Sequence, residues 1–145
     1  MVRLESRADI RASVDQVWSL TEDVERWPRI TPTITSVERL DEGPLRLGST
    51  ARIVQPRQRP AVWTVTAIEP GRYFEWQTKV FGITMTGTHG LEPISDGCRN
   101  TLGLELSGFA SKLLARLLRG KLQQAIDTEN KGFKQAAEAP NDVAA

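Results

Sequence analysis

The main change in the hydrophobic period of this chain is at Gly108. Before Gly108, short apolar runs alternate with polar residues and are separated by turn residues, which is typical of β-strands. After Gly108, apolar residues recur every three or four positions to about Ala137, which predicts one amphipathic helix about 45 Å long. The sequence therefore predicts an α+β fold in which a curved β-sheet wraps a single long helix.

The predicted strands form an antiparallel meander. Strict alternation over residues 2–11 predicts the first strand, and a capping-box pattern at Ser13 begins a short helix over residues 14–22. Asp23 begins a second helical turn. The turns that follow are too short for crossover connections, so each later strand pairs with its neighbour. These six strands are predicted at residues 34–40, 48–55, 61–69, 72–79, 84–93 and 98–107.

The composition limits the classes of protein to which the chain can belong. Its 145 residues suit one domain, assigned to residues 1–138, with a disordered tail at residues 139–145. The 19 basic and 18 acidic side chains give a formal charge of +1, so no nucleic-acid partner is expected. No apolar run approaches the roughly 18 residues of a membrane span, and no secretory signal is evident. We therefore expect a cytoplasmic protein without integral membrane association.

The chain offers few residues for catalysis or metal binding. One histidine and one cysteine provide neither a multi-histidine metal site nor an internal disulfide. No glycine-rich phosphate loop of familiar spacing follows a strand. We therefore expect no metal and no cofactor, and the sequence leaves the oligomeric state open, a homodimer included.

Several short segments share their order and spacing with a known group of proteins. They are Ile10-Arg-Ala-Ser-Val-Asp-Gln-Val-Trp18, Thr21-Glu-Asp23, Trp27-Pro28, Gly48-Ser-Thr50, Trp63-Thr-Val65, Glu69-Pro70, Phe74-Glu-Trp76, His89-Gly-Leu91, Gly97, Ser107-Gly108 and the final helix. Together they resemble the SRPBCC (START/Bet v 1-like) superfamily, and within it the bacterial polyketide cyclase/dehydrase-type branch, over about residues 2–138. The resemblance implies a helix-grip fold, in which a curved seven-stranded antiparallel sheet wraps a long C-terminal helix. It also implies a ligand pocket between the sheet and that helix.

Strand alternation indicates which side chains face this pocket. Inward positions on the last three strands and on the apolar stripe of the helix supply most of the candidates. Strand 61–69 can present either of two faces, so the placement of Trp63 is ambiguous. Trp27 is predicted to belong to the core rather than to the pocket. The predicted ligand-binding residues are Phe74, Trp76, Met85, His89, Leu104, Leu113, Leu117 and Trp63.

Two titratable residues are the candidate catalytic pair, His89 and Glu129. His89 is the one side chain whose ordinary pKa lies near neutrality. It is either a ligand anchor or general acid/base, or a neutral structural histidine hydrogen-bonded to backbone or to Glu129. Glu129 lies on the apolar stripe of the helix, where a carboxylate needs a partner such as His89 or Arg52, unless it reaches solvent at the helix edge.

Three functions fit these residues. The first is binding of a hydrophobic small molecule, such as a lipid, a quinone or a polyketide-like ring system, in the pocket. The second is a cyclase or dehydratase acting on a polyketide-like substrate, with His89 as acid/base. The third is a protein interaction module with a vestigial pocket. Arg57 and Arg59 either mark a pocket mouth that attracts an anionic headgroup or lie on a solvated hairpin tip.

Overall fold

The computed structural model describes residues 1–139 and has the predicted α+β architecture. Its elements are β1 (Val2–Ile10), α1 (Val14–Glu22), a short 3-10 helix (Val24–Arg26), α2 (Trp27–Ile30), β2 (Ser36–Arg39), β3 (Thr50–Val54), β4 (Ala61–Glu69), β5 (Tyr73–Val80), β6 (Ile83–Ile94), β7 (Gly97–Gly108) and α3 (Ser111–Glu138). The predicted disordered tail lies, from residue 140 onward, outside the described residues. The seven-stranded helix-grip prediction is confirmed.

All seven strands belong to one antiparallel sheet with the order β1-β7-β6-β5-β4-β3-β2. Strands β2 to β7 form the predicted meander, because hairpin turns join them in sequence. The first strand pairs with the last along its whole length, from Val2 opposite Leu106 to Ile10 opposite Cys98. The two ends of the sheet-forming chain therefore lie side by side.

The short helices begin where local chemistry predicts. The backbone amide of Gln16 donates to the Ser13 hydroxyl at 3.1 Å, and the Ser13 amide donates to the Gln16 side chain at 2.9 Å. This reciprocal pair satisfies two of the amides that a helix start leaves without partners. Pro28 lies in the first turn of α2, where its missing N–H costs nothing.

A bulge in β4 explains why either face of this strand looked plausible. Trp63 and Val65 point into the core, and the register with β5 then shifts between Val65 and Ala67. After the shift Ile68 pairs with Phe74 and packs against the same core. An extra residue reverses the alternation, so one face is inward before the bulge and the other after it.

The C-terminal half of α3 is fixed to the sheet by buried polar contacts. The Asn130 amide donates to the Ser6 carbonyl oxygen at 2.9 Å, and the Asn130 side-chain oxygen accepts from the Asn100 amide at 3.0 Å. The backbone of α3 at Gly132 also lies against α2. The Ile30 carbonyl oxygen is so close to it that a Cβ atom at position 132 would collide with that oxygen. A glycine ordinarily weakens a helix, but α3 runs unbroken for 28 residues and Gly132 permits the close approach.

No helix within residues 1–139 combines the length and the apolar character that crossing a membrane requires.

Candidate functional site

A cavity of about 120 Å³ lies between the inner face of the sheet and the C-terminal half of α3. Its walls are mainly apolar and aromatic, and a few polar side chains border it, which is the usual composition of a small-molecule site. The sheet contributes Trp63, Trp76, Met85, His89 and Leu104, and α3 contributes Leu122, Ala125, Ile126 and Glu129.

The structure brings six of the nine predicted site residues to this cavity. They are Trp63, Trp76, Met85, His89, Leu104 and Glu129. Phe74 is fully buried but lies behind the wall, where its ring packs edge-on against Trp76 at 5.2 Å and flat against His89 at 4.9 Å. Phe74 therefore supports two wall residues and does not border the cavity itself.

The placement of Leu113 and Leu117 in the pocket was wrong. Their exposed fractions are 60% and 72%, and neither lines the cavity. In this half of α3 the buried apolar residue is Ala115, two residues from each leucine. At about 100° per residue two positions correspond to about 200°, so the leucines lie on the opposite side of the helix. Apolar residues occupy more than half of the circumference here, so hydrophobicity alone did not identify the buried face.

His89 is enclosed by aromatic rings. Besides Phe74, the rings of Trp27 and Phe133 lie with their centroids 4.9 Å and 5.7 Å from the imidazole. Burial lowers the pKa of His89 to about 3, so the ring is neutral near neutral pH. Within the described chain its Nδ1 has no hydrogen-bond partner, so neither backbone nor Glu129 satisfies that nitrogen.

Glu129 is the second titratable group at the cavity. Burial raises its pKa to about 7, and the nearby Thr33 hydroxyl opposes the shift. The proposed partner Arg52 is exposed on β3, alternating with the buried Ala51 and Ile53, so that pairing was wrong. In residues 1–139 no basic side chain forms an ion pair with Glu129. Near neutral pH this carboxyl group is therefore divided between its acid and its ionised form.

Replacing Glu129 by glutamine is expected to stabilise the fold at high pH. The pKa of this glutamate is higher in the folded protein than the ordinary 4.5, so its ionisation costs stability as the pH rises from about 4.5 to about 7. We expect Glu129→Gln to raise the free energy of unfolding by about 3 kcal/mol at about pH 8 and to change it little at about pH 4. Urea unfolding at both pH values measures this. Glu38→Gln, at an exposed position of β2, is the matched control and should show no such difference.

A second polar atom in the wall is also left without a partner. The indole nitrogen of Trp63 is buried and donates to no group among the described residues. Two residues that line the cavity, Trp63 and His89, thus each carry a buried nitrogen without a partner among the described residues. Buried polar groups are nearly always satisfied in folded proteins. A polar atom of a ligand, or a bound water, would provide the missing hydrogen-bond partner of each nitrogen.

An outer groove of about 610 Å³ adjoins the cavity and shares the wall residues Gln55, Gln58, Trp63 and Met85 with it. Its other borders include Arg59 and the hairpin that joins β5 to β6. The groove is therefore separated from the cavity by no more than these four side chains.

Some wall residues were missed by sequence reasoning. Trp27 was assigned to the core, and its ring in fact serves both as core and as wall. The glutamines Gln55 and Gln58 lie at a loop, where no hydrophobic period indicates which way a side chain points. Ala125 and Ile126 were on the predicted apolar stripe, and their spacing from Glu129 could have identified them, since i, i+3 and i+4 positions share a helix face.

A family model matches residues 1–138, and that family is described as "Polyketide cyclase / dehydrase and lipid transport". No curated protein matches the sequence of this chain.

Solved structures share the fold at low sequence identity. The di-domain ARO/CYC StfQ from the steffimycin biosynthetic pathway superposes with a TM-score of 0.76 at 14% identity, over 94% of this chain and 50% of StfQ. The chain thus spans half the length of StfQ. The protein TTHA0849 from Thermus thermophilus gives a TM-score of 0.72 at 20% identity, over 95% and 99% of the two chains. Ara h 8.0201 gives 0.74 at 12% identity, over 94% and 97%.

Proposed function

This chain belongs to the polyketide cyclase/dehydrase and lipid transport family, and from that premise we propose that it binds a hydrophobic small molecule in the cavity between the sheet and α3. The observation that carries the proposal is the cavity itself. Phe133 and Phe74 beside it are packed without exposure, yet the adjoining space bordered by Trp63, Trp76 and Ala125 is not filled by side chains. An unfilled apolar space costs packing energy, which a ligand would restore.

The dimensions indicate how a ligand would lie. An apolar cavity of about 150 Å³ is known to hold a benzene molecule, so the inner cavity of about 120 Å³ suits a single ring or the end of an acyl chain. A larger ligand would extend into the outer groove of about 610 Å³, past Trp63 and Met85. We therefore propose a ligand with a compact apolar head inside and its remainder in the groove.

The polar atoms at the wall select among hydrophobic ligands. The Trp63 indole N–H is a donor, so it calls for an acceptor on the ligand. The protonated form of Glu129 is a second donor, and neutral His89 can donate or accept. A quinone or a polyketide-like ring bearing a carbonyl or hydroxyl oxygen would satisfy these groups better than a plain alkyl chain.

Filling the cavity tests this proposal. Ala125→Phe, on the cavity side of α3, places a ring inside the space, and we expect 1,4-naphthoquinone to bind at least about tenfold more weakly than to the native protein. Quenching of tryptophan fluorescence measures the affinity, since Trp63 and Trp76 border the cavity. Gln124→Phe adds the same ring at the exposed neighbouring position and is expected to bind as the native protein does. Equal affinities for the two variants, or no binding by the native protein, would refute the proposal.

A cyclase or dehydratase acting on a polyketide-like substrate is the second candidate, because two titratable groups border one cavity. Glu129 is better matched to proton transfer than His89, since its pKa is about 7 whereas that of His89 is about 3. If the protein catalyses such a reaction, Glu129→Gln should abolish turnover and His89→Gln should reduce it less. A larger loss of turnover in His89→Gln than in Glu129→Gln would identify His89 as the acid/base. The third candidate, an interaction module with a vestigial pocket, has less support because side chains do not fill the cavity.

A further inference from the structure

Four large apolar side chains are exposed at one end of the molecule. Phe81 at the β5–β6 turn is 87% exposed, and Phe109 just after β7 is fully exposed. Pairing of Ile83 with Gly108 brings these two segments together. Leu113 and Leu117 lie four positions apart near the start of α3, so they share one face of the helix, which begins at Ser111 just after Phe109.

Three segments at the same end of the molecule carry only positive charge. They are residues 54–62, 78–85 and 106–121, which we call the basic pole; the antiparallel order places both hairpins and the end of β7 at one edge. These segments contain no aspartate or glutamate. Within the described residues none of their cations forms an ion pair, whereas cations elsewhere, such as Arg39 and Arg99, do. The seven are Arg57, Arg59, Lys79, Lys112, Arg116, Arg119 and Lys121.

Phe81 occupies its position at a conformational cost. Its φ is 50° and that of Gly82 is 78°, so both residues of this turn are left-handed. Such two-residue hairpins favour Asn-Gly, and a bulky residue in this region is uncommon. The ring is almost fully exposed, so no packing within the chain offsets the cost. A contact with another molecule would supply the packing that this ring does not find within the chain.

We propose that the basic pole docks on an anionic membrane surface. Exposed aromatic and aliphatic side chains insert into the interface, and the surrounding lysines and arginines contact the lipid phosphates. The outer groove opens at this pole, since Arg59, Lys79 and Phe81 border it. A hydrophobic ligand thus passes between the membrane and the cavity without crossing water. This last step rests on the proposed function, whereas docking does not.

The charge pattern favours a membrane over other occupants. A second copy of the chain docked through the same pole would bring its cations against cations, with no acidic residue to compensate. The phosphates of a nucleic acid would contact the lysines and arginines, but they would leave the aliphatic Leu113 and Leu117 without an apolar partner. An anionic lipid surface matches both the charges and the apolar side chains.

Vesicle co-sedimentation with the full chain tests the proposal. The native protein should bind vesicles of phosphatidylcholine containing about a quarter phosphatidylserine, bind pure phosphatidylcholine far more weakly, and release as salt is raised from about 0.1 to about 0.5 M. Failure to bind the phosphatidylserine vesicles would overturn the proposal, as would equal binding to both compositions. A dimer in ultracentrifugation that Phe81→Asn dissociates, without vesicle binding, would assign the pole to a second copy.

Variants separate the apolar from the electrostatic contribution. Phe81→Asn should weaken partitioning by about tenfold. It should keep or raise the melting temperature, because asparagine suits this turn. The double variant Lys112→Gln/Arg116→Gln should weaken partitioning by about thirtyfold. Its control, Arg29→Gln/Lys131→Gln, removes two exposed charges outside the pole and should bind as the native protein does. Equal loss in the two double variants would mean that only net charge matters and would overturn docking through this pole.

The two proposals fail separately. Ala125→Phe should dock on phosphatidylserine vesicles like the native protein while losing 1,4-naphthoquinone, and Lys112→Gln/Arg116→Gln should retain 1,4-naphthoquinone while losing the vesicles. Loss of both activities in either variant would show that one surface serves both and would contradict the separate docking role.

Discussion

Truncating Phe133 to alanine is expected to lower the free energy of unfolding by about 4 kcal/mol. Phe133 has no exposed surface, and its ring packs edge-on against Trp27 at 5.6 Å and against His89 at 5.7 Å. It joins α3 to α2 and to β6, so its removal leaves a void where three elements meet. The midpoint of urea unfolding measures the loss, with the slope checked for change.

Leu117→Ala is the matched control on the same helix. Leu117 is 72% exposed, so its truncation should change the free energy of unfolding by no more than about 0.5 kcal/mol. If both truncations cost the same, the assignment of the two faces of α3 would be wrong.

His89→Phe is expected to make the protein more resistant to acid. The pKa of His89 is about 3 in the folded protein and about 6.5 when unfolded, so the native histidine loses stability as the pH falls from about 6.5 towards about 3. The total loss of stability is on the order of 5 kcal/mol, at about 1.4 kcal/mol per pH unit. Phenylalanine has no charge to suppress and keeps the ring contacts with Phe74 and Trp27.

The measurement is the difference in unfolding free energy between His89→Phe and the native protein at several pH values. For each pH unit below about 6.5, the unfolding free energy of the variant should rise relative to that of the native protein. The native protein by itself should show a nearly flat profile between about pH 4.5 and pH 6.5, because there Glu129 gains stability on acidification while His89 loses it. A difference that stays constant with pH would mean that His89 is not held neutral by burial.

The architecture could be predicted from the sequence because its signals are long and local. Nine alternating residues define β1, and the 3.6-residue period persists through the 28 residues of α3. Tight turns between strands then leave an antiparallel meander as the simplest arrangement. Differences are confined to element ends; β3, for example, was predicted at 48–55 and spans Thr50–Val54.

The cavity could be predicted only in part, since it depends on contacts between distant segments. Inward positions on β5 to β7 followed from alternation, which brought Trp76, Met85 and Leu104 to the wall. On α3 the small Ala115 faces the sheet, whereas the larger Leu117 does not. Close packing of a helix against β-strands depends on the size of the side chain as well as on its hydrophobicity. A hydrophobic pattern contains no information of that kind.

The neighbourhood of His89 was also beyond sequence reasoning. Its inward orientation follows from alternation on β6, but its enclosure by Trp27 and Phe133 combines residues from α2 and α3. The perturbed pKa therefore arises from tertiary packing.

The pairing of the first strand with the last also governs when the protein can fold. Arg3 on β1 donates to Glu105 on β7, 102 positions along the chain. During synthesis β1 therefore leaves the ribosome long before its partner strand exists, and its backbone groups remain without their ladder until β7 emerges. Contacts of such long range slow folding and leave strand edges open to wrong partners. The sheet closes only after β7 has been synthesised, so chain shortening before β7 should yield an aggregating fragment rather than a smaller stable domain.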